Sequence, residues 1–346
     1  SAASDVYKRQ VVLGRNEVVV LVNIRDIAEM TGVSKTTVSR VINNQQYVSE
    51  DIRKKVQAVI EETGYVVNGN AVKLSMGKNY TLGVTLPYNN SCYDRLVNSL
   101  LFHAREKGYQ VLLLPTYYDE KTESEYYSLL EKRMIDGLIL TSRASNLDNW
   151  TKLKSKGRIV STEKVTNPKI PMIFPDRKKA YEELFSMLKK QGFSKVIFTN
   201  KRGLSESTSA QDKAACYQNY FGEVIEGQNF FTGIEDYDSG YYWAKETFKE
   251  LAIPEVIYAN ADDTAAGIIN GLQELGIIHK KDFQMIGEGN QPYSQLLNFS
   301  TIDFLPQEIG AEVINYILSD QGMVNVAKEP RFIERLSQER KNGHAY

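Results

Sequence analysis

Residues 32–44 read Gly-Val-Ser-Lys-Thr-Thr-Val-Ser-Arg-Val-Ile-Asn-Asn, and the amino-terminal part of the chain is best understood outward from this run. Gly32 can take the left-handed conformation of a tight turn, and Ser34 is a good N-cap for a helix. In that helix Val38, Val41 and Ile42 form an apolar stripe, while Thr36, Arg40 and Asn43 line up on the opposite side at i, i+4, i+7. Upstream, Ile24, Ile27 and Ala28 follow the i, i+3, i+4 pattern of a short amphipathic helix that Thr31-Gly32-Val33 interrupts. Downstream, Ser49 is expected to cap a third helix and Glu50 and Asp51 to favour its positive end. Ile52, Val56, Val59 and Ile60 give that helix its packing face, and Gly64 stops it. Helix, glycine turn, helix and a third closing helix make a helix-turn-helix unit.

The outward face of the second helix supplies the chemistry. Small hydroxyl and amide side chains with one arginine can lie deep in a major groove. Arg40 is suited to guanine O6 and N7, and Lys35 and Thr36 to base edges near the helix start. Ser39 and Asn43 suit phosphates, which set register without reading sequence. On spacing alone, a three-helix structural module with a solvated polar face is an equal reading.

The residues themselves carry more. The stretch from Asn23 to Tyr65, and GVSKTTVSRVINN above all, resembles the DNA-binding domain of the lac repressor family. The resemblance implies a dimeric repressor on a palindromic operator. It places Lys35, Thr36 and Arg40 at bases, and Ser34, Thr37, Ser39 and Asn43 near the DNA backbone. Members of that family carry a hinge of the form Asn-x-x-Ala-Arg-x-Leu, and this chain has Asn68-Gly69-Asn70-Ala71-Val72-Lys73-Leu74. Asn68 would cap a short hinge helix, Ala71 matches the family's alanine, and Leu74 matches the leucine that wedges between base steps in the minor groove. So short a helix is marginal alone, and two copies would have to pair on DNA to form it. Val72 stands where the family has arginine, which alters the minor-groove electrostatics.

From Tyr80 onward the pattern alternates. TLGVTLP, YQVLLLP, DGLILTS, RIVST, KVIFTN, EVIYAN and FQMIGEG read as strands. Helices are expected at 96–107, 120–133, 149–156, 179–190, 241–251 and 265–275. Regular alternation argues for parallel sheets covered by helices on both faces. So many strands exceed one comfortable domain, and two doubly wound α/β subdomains are expected, with a ligand cleft between facing carboxyl strand ends.

Catalytic signatures are absent from the pattern. Gly287-Glu288-Gly289 meets Pro292 where a dinucleotide fingerprint needs its third glycine, and no Walker loop or Gly-x-Ser-x-Gly elbow occurs. Asp262 and Asp263 are expected to N-cap the following helix, with one edge in the cleft. The chain therefore reads as no enzyme and as needing no cofactor. Cys92 and Cys216 are the only cysteines, and the three histidines lie far apart, so neither a disulfide framework nor a zinc motif is present. No apolar run approaches a membrane span, and a cytoplasmic location without membrane contact is expected. Net charge is −1 over 346 residues, but residues 1–78 hold 11 Lys and Arg against 8 Asp and Glu, and the rest 31 against 35. A weakly basic module would hold DNA poorly as one copy, so tight binding is expected to need a dimer.

The family resemblance continues to about Leu336 through YANADDTAAGIINGLQELGI, MIGEGN and STIDF, nearest to the catabolite control protein B branch of Gram-positive bacteria. It implies the fold of periplasmic sugar-binding proteins, with three crossovers between subdomains. The expected organisation is a leader at 1–21, disordered or extraneous, or else a basic arm bearing Lys8, Arg9 and Arg15. There follow the helix-turn-helix domain at 22–66, the hinge at 67–79, the effector-binding and dimerisation domain at 80–337 and a tail at 338–346. The subdomains would comprise 80–177 with 303–325, and 178–302 with 326–337. For the effector the resemblance implies Tyr93, Lys213 and Asp262, with Glu288 beside the position where Gly289 replaces the family's sugar-binding aspartate. Losing that carboxylate weakens the case for a neutral sugar and raises that of an anionic ligand, such as a sugar phosphate, held by Lys213, Arg143 or Arg202. The alternative partner is a phosphorylated phosphocarrier co-repressor docking on the helix at 96–107. A more remote reading is a ligand-binding protein or enzyme with a vestigial DNA-binding module.

Overall fold

The computed structural model describes residues 12–14, 17–19, 22–66, 77–144, 158–165, 169–319 and 321–336. The chain divides into two compact units, at residues 1–79 and 80–346. The expected hinge helix, the helix at 149–156 and the tail fall outside the described residues.

In the first unit, β1 (Val12–Gly14) and β2 (Glu17–Val19) pair antiparallel. Three-residue strands are too short for alternation to be read, so periodicity gave no sign of them. Helices α1 (Ile24–Thr31), α2 (Lys35–Ile42) and α3 (Glu50–Thr63) follow. Asn23 and Asp26 form a reciprocal capping box at the start of α1, and Gly32 ends it at φ 67°. Ser34 accepts the Thr37 N–H at 3.1 Å as the N-cap of α2. Ser49 occupies the N-cap position of α3, but its side chain makes no capping bond there, contrary to expectation. Ile27, Ala28, Val38, Val41 and Val56 make the buried core.

The second unit holds two six-stranded sheets. The first has the order β13-β7-β6-β5-β3-β4. Its strands are β3 (Thr81–Leu86), β4 (Gln110–Pro115), β5 (Gly137–Leu140), β6 (Arg158–Ser161), β7 (Met172–Pro175) and β13 (Asn325–Lys328), all parallel. The second has the order β14-β12-β11-β10-β8-β9. It comprises β8 (Val196–Thr199), β9 (Phe230–Phe231), β10 (Val256–Tyr258), β11 (Gln284–Glu288), β12 (Ser300–Asp303) and β14 (Arg331–Ile333). Only β14 runs antiparallel within it. Both sheets are doubly covered, which is why their strands are apolar on both sides. In β5, Ile139 joins the core beneath α4 (Ser91–Glu106) and α11 (Pro306–Ile317), while Leu138 and Leu140 join the core beneath α5 (Glu120–Glu131). In the second sheet α6 (Arg177–Lys190) and α7 (Thr208–Phe221) cover one face. The other face carries α8 (Tyr237–Thr247) and α9 (Asp262–Glu274), and a short helix, α10 (Pro292–Leu296), precedes β12.

The chain passes between the sheets three times, after β7, after β12 and between β13 and β14. The last crossing falls at 329–330, later than the expected 325/326 boundary, because residues 325–328 pair in register with 172–175 at the edge of the first sheet. Helix α7 was not expected at all; its run of Thr, Ser, Ala, Gln and Tyr carries a weak apolar rhythm. The close approach of α8 and α9 depends on glycine. A Cβ at Gly267 would stand 2.0 Å from the Tyr237 carbonyl oxygen, and one at Gly271 would stand 2.5 Å from that of Tyr241.

Candidate functional site

Two separate surfaces carry the chemistry. On α2, Val38 and Val41 turn into the core at 0 % and 4 % exposure. The helical period then presents Lys35, Thr36, Arg40 and Asn43 to solvent, with Thr37 and Ser39 half-buried at the flanks and Ser34 exposed at the start. Ser34 Oγ and Thr37 Oγ1 lie 2.9 Å apart, and Asn43 Nδ2 donates to Ser39 Oγ at 3.3 Å. Arg53 on α3 donates to Asn44 Oδ1 at 2.8 Å and to the Gln45 carbonyl at 2.7 Å, which sets the loop leaving α2. That loop also presents Tyr47 at 88 % exposure, a residue the sequence reading passed over. Its signal was an aromatic side chain in a polar run. Asn68, Ala71 and Leu74 lie outside the described residues.

The second surface is the cleft formed by carboxyl strand ends of the two sheets. Tyr88 follows β3, Tyr118 follows β4, and Ser142 follows β5. Glu163 follows β6 and Arg177 follows β7, while Lys201, Asn260 and Glu288 stand at or beyond the ends of β8, β10 and β11. All eight line one cavity of about 190 Å³. Of the expected effector residues, Tyr93, Lys213 and Glu288 line it too.

Lys213 Nζ sits 2.7 Å from Glu288 Oε1, and Tyr258 Oη donates to the same oxygen at 2.7 Å. Arg177 approaches the other carboxylate oxygen at 3.6 Å. Lys213 also lies over the Tyr258 ring, 4.3 Å from its centroid. Burial pulls the Lys213 ammonium below its ordinary pKa, with the Glu288 carboxylate opposing, and burial raises the Tyr258 phenol. The ion pair satisfies itself, so Lys213 is spent on Glu288 rather than left as a free cation.

Asp262 is placed differently from the expectation. Its exposure is 0 %, its Oδ1 accepts from Thr301 Oγ1 at 2.7 Å, and its Oδ2 accepts from the Gln291 N–H at 2.6 Å. Neither it nor Asp263 caps α9. The N-cap is Ala261, and both aspartates lie within the first turn. Asp263 Oδ2 instead accepts from Ser91 Oγ of α4, a bond between the subdomains. Burial pushes the Asp262 carboxyl up to about 7. Asp262 therefore anchors the loop after β11, and that loop in turn touches α4, with Arg95 donating to the Gly289 carbonyl at 2.6 Å.

Two further contacts cross the cleft. Lys201 Nζ lies 3.6 Å from the Tyr88 ring centroid, and the Arg202 guanidinium lies 4.1 Å from that of Tyr118. Cleft residues that the sequence did not single out include Glu163 and Arg177, each just past a strand end where a systematic reading of strand termini would have found them, and Tyr181, which lies on α6. Among the described residues no cluster of three His, Cys, Asp or Glu side chains could hold a metal ion, and no helix is long and apolar enough to cross a membrane.

Comparison with known proteins gives two family matches. Residues 23–68 match the model for bacterial regulatory proteins of the lacI family, and residues 79–322 match that for periplasmic binding proteins and the sugar binding domain of the LacI family. Catabolite control protein B of Bacillus subtilis (strain 168) is 37 % identical over 305 residues, covering 87 % of this chain and 96 % of that protein. The ribose operon repressor of Halalkalibacterium halodurans is 26 % identical over 298 residues, covering 84 % and 88 %. A crystal structure of the lac repressor dimer bound to operator and an anti-inducer superposes with a TM-score of 0.76 at 19 % identity, covering 91 % of this chain and 99 % of that one. At that identity the likeness concerns the fold.

Proposed function

The chain belongs to the LacI family of bacterial regulatory proteins and is a DNA-binding transcriptional regulator, and we propose that it represses carbon-catabolite or carbohydrate genes as a cytoplasmic homodimer on a palindromic operator. The observation that carries the proposal is the division of α2 into a buried Val38–Val41 face and an exposed Lys35–Thr36–Arg40 face. A helix so presented can enter the major groove and read base edges. Ser34, Thr37, Ser39 and Asn43 would contact phosphates, and Asn68, Ala71 and Leu74 would work at the minor groove. A small-molecule effector in the cleft, rather than catalysis, would shift the balance between two subdomain arrangements and so alter operator affinity. Tyr93, Glu288 and the Lys213 pair lie where such a ligand would sit, and Asp262 would act by holding the loop beside it.

The test is a gel shift on an operator selected from a random DNA library. Arg40→Ala is expected to lose discrimination between operator and random DNA by about 1–3 kcal/mol. Leu74→Ala is expected to weaken operator binding. Unchanged discrimination in both variants would remove the proposed roles.

A second reading keeps the regulator and replaces the small molecule by a phosphorylated carrier protein. It is favoured by the exposed Leu101 (41 %) and Phe102 (61 %) beside exposed Arg105 and Lys107 on and just after α4. Titration with the serine-phosphorylated carrier, with sugars as controls, separates the two.

A further inference from the structure

Resting on the reading that a ligand acts by shifting the balance between two subdomain arrangements, we propose that Arg95 on α4 is a positioning residue that clasps the subdomains in the arrangement of this structure. Its single guanidinium reaches both sides of the second crossing between the sheets. Nη1 donates to the Gly289 carbonyl at 2.6 Å and to Asp303 Oδ1 at 3.2 Å, and Nη2 donates to Gln307 Oε1 at 2.9 Å. Gly289 follows β11 and Asp303 ends β12, both of the second sheet. Gln307 lies in the first turn of α11, which covers the first sheet.

The groups that the guanidinium holds are themselves fixed. Gly289 and Asn290 take positive φ values of 118° and 48°, and their N–H groups donate to the Ile302 carbonyl at 2.8 Å and to Thr301 Oγ1 at 3.2 Å. Asp303 Oδ2 accepts from Asn290 Nδ2 at 2.9 Å, and its Oδ1 accepts from the Leu305 N–H at 2.9 Å. That last bond holds Leu305 at φ 57°, a left-handed conformation that a leucine keeps only where its surroundings over-determine it. The crossing is therefore a strained segment pinned by an ion pair whose side chains are 21 % and 9 % exposed. One turn earlier on α4, Ser91 adds two bonds across the boundary, its hydroxyl donating to Asp263 and its carbonyl accepting from Gln291.

The clasp is placed to sense the cleft. Glu288, which carries the buried pair with Lys213, immediately precedes Gly289. One peptide thus separates the cleft carboxylate from the carbonyl that Arg95 grips. A ligand that displaces Glu288 pulls on that carbonyl, and release of Arg95 frees the loop after β11 from α4. The fork of a guanidinium is needed here, because an ammonium is a point charge and cannot hold a carbonyl, a carboxylate and an amide in one plane.

Cys92 is a native reporter of the clasp. It follows Ser91, is open to solvent and lines the cleft. Desolvation, with the charges of Asp263 and Glu288 from the second subdomain, pushes its thiol up to about 12. Loosening the subdomains removes these influences and raises the thiolate fraction, and the thiolate is the nucleophile.

The experiment measures, on the full chain at pH 8, the rate at which Cys92 reacts with dithiobis(nitrobenzoate). Cys216, 0 % exposed, checks that the fold is intact, and operator affinity without ligand is read in parallel by gel shift. Arg95→Met is expected to raise the Cys92 rate about tenfold or more, and Arg95→Lys to raise it less. Ser99→Ala, which removes a 2.7 Å bond from α4 to the Gln307 carbonyl within the first subdomain, is expected to leave the rate unchanged. An unchanged rate in Arg95→Met, or an equal rise in Ser99→Ala, would overturn the clasp. If Cys216 also reacts in Arg95→Met, Arg95→Lys decides, and an unchanged Cys92 rate there overturns it. A faster Cys92 with operator affinity altered about fivefold or more, in either direction, supports the clasp and the reading beneath it. A faster Cys92 with unaltered operator affinity supports the clasp and overturns that reading.

Discussion

Lys213 and Glu288 form a 2.7 Å ion pair with side chains 1 % and 9 % exposed, joining α7 to the end of β11. A buried pair is costly to break from one side, because the survivor keeps its charge without a partner. Glu288→Gln should therefore destabilise the second unit by about 3–5 kcal/mol. Adding Lys213→Met should recover part of that loss. Urea unfolding of the two variants checks both statements, and a Glu288→Gln chain as stable as the original would contradict them.

Asp262 gives a pH dependence of unusual sign. Its carboxyl rises from 3.8 to about 7, chiefly through burial, with Glu288 and Asp263 adding and the Thr301 and Gln291 hydrogen bonds opposing. Between these values the folded chain holds a proton that the unfolded chain has released. The group's contribution to stability is therefore complete below pH 4 and is lost as pH rises through about 7. Asp262→Asn should gain stability relative to the original chain at pH 8 and gain less at pH 5. Denaturant midpoints across that range measure the difference, and a difference independent of pH would refute it.

Gly267→Ala should separate α8 from α9. The added methyl group would stand 2.0 Å from the Tyr237 carbonyl oxygen, and backbone cannot yield as a side-chain end can. A loss of about 1–3 kcal/mol is expected from such overpacking. Gly203→Ala, with nothing within 4 Å of the new methyl, is the matched control and should be near neutral in thermal unfolding.

In the amino-terminal unit, Ile27 is 0 % exposed at the centre of a small core. Ile27→Ala should cost about 2–5 kcal/mol, a large share of what so small a module holds. Operator binding should be lost at physiological temperature while calorimetric ligand binding by the second unit persists. Loss of both together would show that the substitution acts beyond its own core.

The helix-turn-helix was legible because several local signals agreed: the cap at Ser34, the glycines at 32 and 64, and the apolar stripes, with only the expected Ser49 cap going unmade. The parallel sheets were legible because strands covered on both faces read as unbroken apolar runs, such as Leu138–Leu140 and Val256–Tyr258. Helix α7 escaped because half of it is small polar residues and alanine, whose periodicity is faint. The starts of α4 and α8 were read late, although Asp236 stands in the sequence as a good cap for α8; at α4 Asn90 holds the N-cap position without a side-chain capping bond. At the cleft, resemblance pointed to Lys213 and Glu288 but not to their mutual neutralisation, which depends on a contact 75 residues apart. Arg177 and Arg202 share one cavity only because strands distant in sequence end at one edge. Asp262 was placed in the right turn but expected to cap α9, since nothing local revealed Thr301 and the Gln291 N–H as its partners.

The strands that complete the two sheets have a consequence for synthesis. β13 borders the first sheet and β14 the second, and both lie within residues 325–333. On the ribosome, helices α1 to α3 emerge early and can pack while translation continues. Neither sheet can acquire its last edge until more than 240 further residues have followed the start of β3. A nascent chain could thus possess a finished DNA-reading head well before the ligand-sensing body exists, and control by ligand would begin only once residue 333 is free of the exit tunnel.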